Sequence, residues 1–264
     1  MASVRLLARR PALAAMLKLQ GHTCSEIVPS KGLHPLVVPF ASADPEGSSV
    51  LGLLRWPLGK GQQELVVSTQ AQTEKGEVRT ETLNVQLMGT IAQYARRIAV
   101  EADANGDDCA MVEAASNACI EAGGPAYMSG EFAASKLKLP QFLLLKVGTS
   151  FPDVWYDLAR LQLQRGDETA AMVAAERGSA ANPGWGSCLW QQAQLMDELG
   201  RTEERRDLAL AALEVRFTAP PDHTTSGQLL SSRLSRASTR TLYACRHLCG
   251  RSTRLSKRLS EQRI

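Results

Sequence analysis

Two acidic residues and an asparagine near the middle of the chain have the spacing of metal ligands. Asp103, Asn105 and Asp107 alternate as the first ligands of a calcium-binding loop do. Such a loop also needs glycine at its sixth position and a bidentate glutamate at its twelfth. Asp108 and Ala114 stand at those positions, so an acidic turn between helices is the better interpretation.

Other residues with chemical potential are equally incomplete. Cys245 and Cys249 flank His247, but the fourth ligand and the second cysteine pair of a structural zinc site are missing. Lys60 lies in a GKG segment that is too short to cradle a phosphate. No GxxxxGK[ST], GxSxG or HExxH motif occurs. We therefore expect no enzyme activity, no cofactor and no metal. We also expect all four histidines to lie outside the folded region: His22, His34, His223 and His247.

The composition favours a helical protein. Of 264 residues, 44% are apolar and only 5% aromatic, which suits the close packing of helices. No apolar stretch approaches the length of a membrane span. Of 30 basic and 27 acidic residues, residues 1–20 and 223–264 together hold 13 basic and one acidic. The intervening segment therefore carries 17 basic against 26 acidic residues, a net charge of about −9.

The amino-terminal segment has the composition of an import signal. Residues 1–20 contain three arginines and a lysine but no acid, which predicts a transit peptide, with mitochondrion ahead of plastid. A cytosolic tail is the alternative. Residues 21–49 are rich in Pro, Ser and Gly and predict a linker.

Short strands are expected next, followed by helices. Residues 50–88 contain apolar and alternating runs that indicate short strands or a β-hairpin. From residue 89, Ile91, Tyr94, Ala95, Ile98 and Ala102 recur at intervals of three and four, which predicts one face of a helix. We assign residues 89–222 to a helical repeat domain, with the best repeats at 152–185 and 186–219.

Small residues and glycines recur along the chain at a period of 34, which we call the repeat period. Ala159 and Ala193 are one repeat period apart, as are Gly166 and Gly200. The first repeat resembles the tetratricopeptide family, whose units are two helices joined by a tight turn. The residues that carry the resemblance are Trp155, Leu158, Ala159, Gly166, Ala171, Ala175 and Pro183 in the first unit and Leu189, Ala193, Gly200, Ala209 and Ala212 in the second. The second unit departs from the pattern, with Arg205 at a position that is normally small.

A second resemblance concerns three short segments. LLRWP at residues 53–57, YARRIAVEAD at 94–103 and FPDV at 151–154 resemble an uncharacterised plant and algal helical-repeat family. That family implies a helical fold but offers no activity or ligand residues to carry over.

Residues 223–264 differ from the rest of the chain. They are rich in Ser and Arg, and RLS recurs from Arg233, Arg254 and Arg258. This composition predicts a disordered basic tail that could contact RNA phosphates, a basic arm folding back on the acidic body, or an artefact of the gene model.

These patterns predict a mainly α protein of tetratricopeptide-like antiparallel helix pairs. We expect a non-enzymatic protein-binding scaffold or assembly factor in an organelle. The alternative is an RNA-associated organellar factor that uses its tail. The concave face formed by the first helix of each pair is the expected binding surface, lined by Gln162, Arg165, Gln192 and Met196.

Overall fold

The computed structural model of the protein describes residues 6–24, 33, 36–42, 49–55, 64–70, 85–106 and 109–214. Within these ranges, the helix Pro11–Leu19 precedes a four-stranded antiparallel sheet, and a series of helices follows the sheet. The elements are α1 (Pro11–Leu19), β1 (Val37–Ser42), β2 (Ser49–Leu54), β3 (Leu65–Gln70), β4 (Val85–Thr90), α2 (Ile91–Asn105), α3 (Cys109–Glu121), α4 (Glu131–Ser135), α5 (Leu139–Phe142), a π-helix (Leu143–Val147), α6 (Pro152–Gln164), α7 (Glu168–Ala181), α8 (Gly186–Glu198) and α9 (Thr202–Glu214). No helix among these residues is long and apolar enough to span a bilayer.

Helix α1 belongs to the main hydrophobic core. Pro11 opens it at a position where the missing amide costs nothing. Leu13, Met16 and Leu17 are fully buried in the core, because their spacing of three and four residues places them on one face. The amides of Ala12 and Leu13 donate to the Glu121 carboxylate of α3, at 3.3 and 3.2 Å.

That carboxylate satisfies two of the amides that the first turn of a helix leaves free, and its charge complements the helix dipole. The burial of α1 was not expected for residues 1–20. The transit-peptide interpretation itself stays a prediction.

The segment after α1 joins the helix to the sheet. Thr23 and Ser42 exchange backbone hydrogen bonds of 2.8 and 3.0 Å. The His22 amide donates to the Leu17 carbonyl at 2.9 Å, and burial lowers the pKa of its imidazole. The expectation that every histidine lies outside the folded region was therefore wrong for His22.

The sheet is a simple meander in the order β1-β2-β3-β4. Pairings such as Leu53 with Val66 and Leu54 with Leu65 set its register. Leu53 and Val66 face the main core, which α1 and α2 also line. Leu54 and Val67 lie in a second cluster on the opposite face, as expected for side chains that alternate along strands. Strand β1 lies within the segment 21–49 that the sequence suggested as a linker.

Helix α2 begins directly after β4 with a capping box. The backbone amide of Gln93 donates to the Thr90 hydroxyl at 3.3 Å. The backbone amide of Thr90 donates to the side-chain oxygen of Gln93 at 2.9 Å. These bonds satisfy two donors at the helix start. Gly106 ends the helix in a left-handed conformation. The helix predicted from the spacing of Ile91 and its successors is confirmed.

Asp103 organises the loop between α3 and α4. Its carboxylate accepts hydrogen bonds from the Tyr127 hydroxyl at 2.7 Å, the Ser129 hydroxyl at 2.9 Å and the Gly130 amide at 3.0 Å. Burial alone would raise its pKa, but these donors favour the charged form and lower the pKa below its ordinary value. The residue that suggested a calcium loop therefore acts as an internal hydrogen-bond acceptor.

The Asp103 carboxylate makes a testable contribution to pH-dependent stability. Because its pKa is lowered in the folded state, the contribution is fully present above the unfolded value of about 3.8 and is lost as pH falls through the folded value. We expect Asp103→Asn to lower the melting temperature at pH 7, with a difference from the unmodified protein that shrinks towards pH 3. Glu113→Gln, at an exposed position on α3, is the matched control. A difference independent of pH would contradict this role.

Helices α6 to α9 form two pairs that follow the repeat period of the sequence. The first helices of the pairs, α6 and α8, begin at Pro152 and Gly186. The second helices, α7 and α9, begin at Glu168 and Thr202. Both starting positions therefore recur after one repeat period. Gly166 and Gly200 follow the first helix of each pair with φ angles of 80° and 73°, which only glycine adopts readily. Each first helix packs against its second, and α6 also contacts α8.

Four of the predicted repeat residues are buried within these pairs. Ala159, Ala171 and Ala175 lie in a small apolar cluster with Leu195 and Met196. Ala193 is buried as well. Trp155, Leu158, Leu189, Ala209 and Ala212 are half-buried, and Pro183 is exposed. Arg205, the charged residue at a normally small position, donates to Asp197 of α8 at 2.6 Å. The two helix pairs therefore have corresponding helix boundaries even where the sequence of the second pair departs from the repeat pattern.

Candidate protein-binding surface

Of the four residues predicted to line the binding surface, one is buried and the other three are half-buried or exposed. Met196 is only 2% exposed, because it points into the cluster between the helix pairs, and its assignment to the surface was wrong. Gln162 occupies the equivalent position in α6, one repeat period earlier, and is half-buried. Arg165 is exposed at the end of α6. Gln192 is half-buried and accepts a hydrogen bond of 3.3 Å from Ser179 of α7.

The structure places two aromatic residues on the surface instead. Trp190 of α8 is 46% exposed, and Tyr156, at the equivalent position of α6, is half-buried. The Arg160 guanidinium lies 5.9 Å from the Tyr156 ring centre and 3.8 Å from a Glu198 oxygen of α8. Tyr156 and Trp190 are one repeat period apart, and this spacing is the signal in the sequence that could have identified both.

We define the α6–α8 face by side chains that recur at three and four residues on the two helices. It consists of Tyr156, Asp157, Arg160, Trp190, Gln191 and Gln194, all exposed or half-buried. Tyr156 and Gln191 line one recess and Arg160 reaches Glu198, so side chains of α6 and α8 meet on this face.

A small recess opens beside this face. Its volume is about 200 Å³, including space open to solvent. The residues that line it are Pro152, Trp155, Tyr156, Ala175, Gly178, Cys188, Gln191 and Gln192. The enclosed part of the recess has room for about one water molecule, so it is too small for a cofactor. Burial raises the pKa of the Cys188 thiol to about 12, which keeps it protonated and unreactive at neutral pH.

Gly178 sets the depth of this recess. A Cβ atom there would lie 2.8 Å from Trp155 Cβ and 3.1 Å from Trp155 Cγ, closer than side chains pack. We expect Gly178→Ala to lower the free energy of unfolding by about 1–3 kcal/mol, because α7 must move away from α6. Denaturant unfolding measures the change. Ala180→Ser, at an exposed position on α7, should change it by less than about 0.5 kcal/mol. An increase in stability with Gly178→Ala would contradict the close approach.

Arg97 of α2 joins the first part of the fold to the helix pairs. Its guanidinium donates to both Asp153 oxygens of α6, at 3.1 and 2.6 Å, and to Glu101 at 2.7 Å. It also lies 5.3 Å from the centre of the Phe151 ring. Burial acts to lower the pKa of Arg97, but the bonds to Asp153 and the charge of Glu101 outweigh it and raise the pKa. This arrangement fixes the direction in which α6 leaves the core.

Two further contacts hold the same joint. The Thr149 carbonyl accepts hydrogen bonds from Trp155 Nε1 at 3.0 Å and from the buried Asn182 side chain at 3.2 Å. Trp185, between α7 and α8, packs against the second apolar cluster of the sheet. The helix pairs therefore rest on both the α2 side and the sheet side of the preceding fold.

The remaining chemical candidates bring no reactive site together. Among the described residues, no group of three or more His, Cys, Asp or Glu side chains has the geometry to hold a metal ion. Cys245, His247 and Cys249, and with them the expected disordered basic tail at 223–264 and its RNA contact, lie outside the described residues. Lys60 and Asp107 lie outside them as well.

Comparison with known proteins identifies the family. Residues 1–147 match the family model described as PAB N-terminal, and residues 152–223 match the model described as PAB middle domain. The chain belongs to the PAB family. The boundary between the two matched segments falls at the joint that Arg97 and Thr149 hold.

A relative from Arabidopsis thaliana is 31% identical over 204 residues, and its name is "Protein IN CHLOROPLAST ATPASE BIOGENESIS, chloroplastic". The match covers 76% of this chain and 57% of the relative. No solved structure matches the chain. The relative agrees with the predicted plant resemblance, whereas the tetratricopeptide assignment stays a prediction.

Proposed function

We propose that this protein is a non-enzymatic assembly factor that acts in a plastid on the biogenesis of an ATPase. The observation that carries the proposal is the match of both PAB segments together with the similarity to a chloroplast ATPase biogenesis protein. The sequence put the mitochondrion first. The relative is described as chloroplastic, which supports the plastid alternative and offers no support for the mitochondrion.

The structure supports a binding role through the helix pairs. We infer that α6 to α9 are tetratricopeptide-like units, because their boundaries and their left-handed glycines share the repeat period of that family. Stacked helix pairs of this kind present extended surfaces to other proteins. The α6–α8 face carries an exposed tryptophan, and tryptophan is enriched among residues that dominate protein interfaces. A polypeptide partner therefore fits this surface better than a small substrate.

Affinity capture from the protein's own cells tests the proposal. The chain, tagged at its carboxyl end, is cross-linked in intact cells and purified with and without ribonuclease. A cell line that expresses the tag alone is the control. We expect ATPase subunits to be enriched to the same extent in both samples. Enrichment that disappears with ribonuclease would favour the RNA-associated alternative, and absence of ATPase subunits would contradict the proposal.

A further inference from the structure

The α6–α8 face combines an apolar recess with an exposed aromatic residue. Trp190 is 46% exposed although large apolar side chains are usually covered. Gln191, which follows Trp190 in the chain, lines the recess together with Tyr156. The small residues Ala175, Gly178 and Cys188 line it as well. Tyr156 and Trp190 therefore offer aromatic surface to an apolar side chain of a partner.

The charges on these two helices are predominantly negative. Helices α6 and α8 contain Asp153, Asp157, Asp197 and Glu198 but only one basic residue, Arg160. Three of the four carboxylates have partners: Asp153 bonds to Arg97, Asp197 to Arg205 and Glu198 to Arg160. Asp157 forms no ion pair with any described residue. Residues 152–214 as a whole contain eleven acidic and six basic side chains.

The Asp157 carboxylate is exposed and lies within the electrostatic influence of Asp153, Arg97 and Arg160. Partial burial and the nearby charge of Asp153 raise its pKa, and these effects outweigh the opposing influence of Arg97 and Arg160. A positive group placed against Asp157 would stabilise its carboxylate. An anionic partner such as a nucleic acid would meet net repulsion on the same surface.

We propose that the α6–α8 face binds a basic amphipathic segment of a client polypeptide. An aliphatic or aromatic side chain of the client packs against Tyr156 and Trp190, and a neighbouring lysine or arginine pairs with Asp157. This inference rests on the proposed function, because it names the chemistry of the polypeptide that the assembly factor takes.

Selection from a random peptide library tests the chemistry directly. A displayed library of 16-residue peptides is selected on the full chain, and the peptides recovered are compared with those from Trp190→Ala. Trp190 is 46% exposed, and the melting temperature of Trp190→Ala is measured to establish that the variant is folded in the selection. Val173→Ser on α7 is the matched control, because Val173 is also an exposed apolar residue, at 41%.

The expected peptides contain an apolar residue within four positions of lysine or arginine. Their affinity, measured by fluorescence anisotropy, should fall at least about tenfold with Trp190→Ala and stay unchanged with Val173→Ser. Asp157→Asn should weaken binding by about threefold and reduce its salt dependence. Selection of acidic peptides, of peptides that bind Trp190→Ala equally well, or of none above background would overturn the proposal.

The same variants separate this inference from the proposed function. If Trp190→Ala captures ATPase subunits from cells as well as the unmodified chain does, the assembly role stands and the α6–α8 face is not its binding surface. If neither protein captures them, the proposed function fails. Self-association through this face is a further contrary outcome, seen as a dimer in sedimentation that Trp190→Ala converts to a monomer.

Discussion

Leu17→Ala is expected to lower the free energy of unfolding by about 3 kcal/mol, because it leaves a cavity where a fully buried leucine packs in the core. Leu19→Ala is the matched control, since it makes the same change two residues later on the same helix. Leu19 is 53% exposed, and its replacement should cost less than about 0.5 kcal/mol. Denaturant unfolding of both variants measures the difference.

This comparison tests whether α1 is part of the folded protein. Equal small effects for both leucines would show that the helix does not pack on the core in solution. A large effect confined to Leu17 would show that α1 packs on the core in solution. Removal of residues 1–20 would then take three buried side chains from the core, Leu13, Met16 and Leu17. It would also remove the α1 amides that donate hydrogen bonds to the Glu121 carboxylate.

Arg97→Ala is expected to destabilise the protein by about 3 kcal/mol. The change leaves the Asp153 carboxylate, whose side chain is only 20% exposed, without its bidentate partner. Arg160→Ala is the matched control, because Arg160 is 50% exposed and its pair with Glu198 is long, at 3.8 Å. An exposed pair of this kind contributes at most about 1 kcal/mol. Thermal and denaturant unfolding measure both effects.

A double variant distinguishes the ion pair from simple loss of packing. Removing Asp153 as well relieves the unpaired carboxylate, so Arg97→Ala with Asp153→Ala should be less destabilised than the sum of the two single changes. Strict additivity would mean that Arg97 acts through its contact with the Phe151 ring rather than through Asp153. Because the pair bridges the two PAB segments, the single variant should also increase proteolysis near residue 150.

The regular parts of the fold could be predicted from the sequence. The spacing around Ile91 identified α2, and the repeat period located both helix pairs, because each follows from local periodicity. Strand β1 was missed because its residues lie in a segment rich in turn formers. The burial of α1 was missed because basic residues and leucines also fit an import signal, and the contact with α3 joins residues about 108 apart.

The candidate surface was predicted only in outline. The sequence indicated that the first helices of the pairs form it, but not which side chains face outward. Gln162 and Met196 occupy equivalent positions of the two repeats, and that position faces the interior in α8. The exposure of Trp190 depends on how α8 lies against α6, α7 and α9, which local patterns do not reveal.

We propose that the protein promotes the assembly of an ATPase rather than the synthesis of the ATPase subunits. We would pulse-label cells that lack the protein and follow ATPase subunits into the complete complex on native gels. Cells re-expressing the chain serve as the reference. The proposed function predicts normal synthesis of the subunits, slow entry into the complex, and recovery upon re-expression. Entry into the complex at the same rate with and without the protein would contradict it.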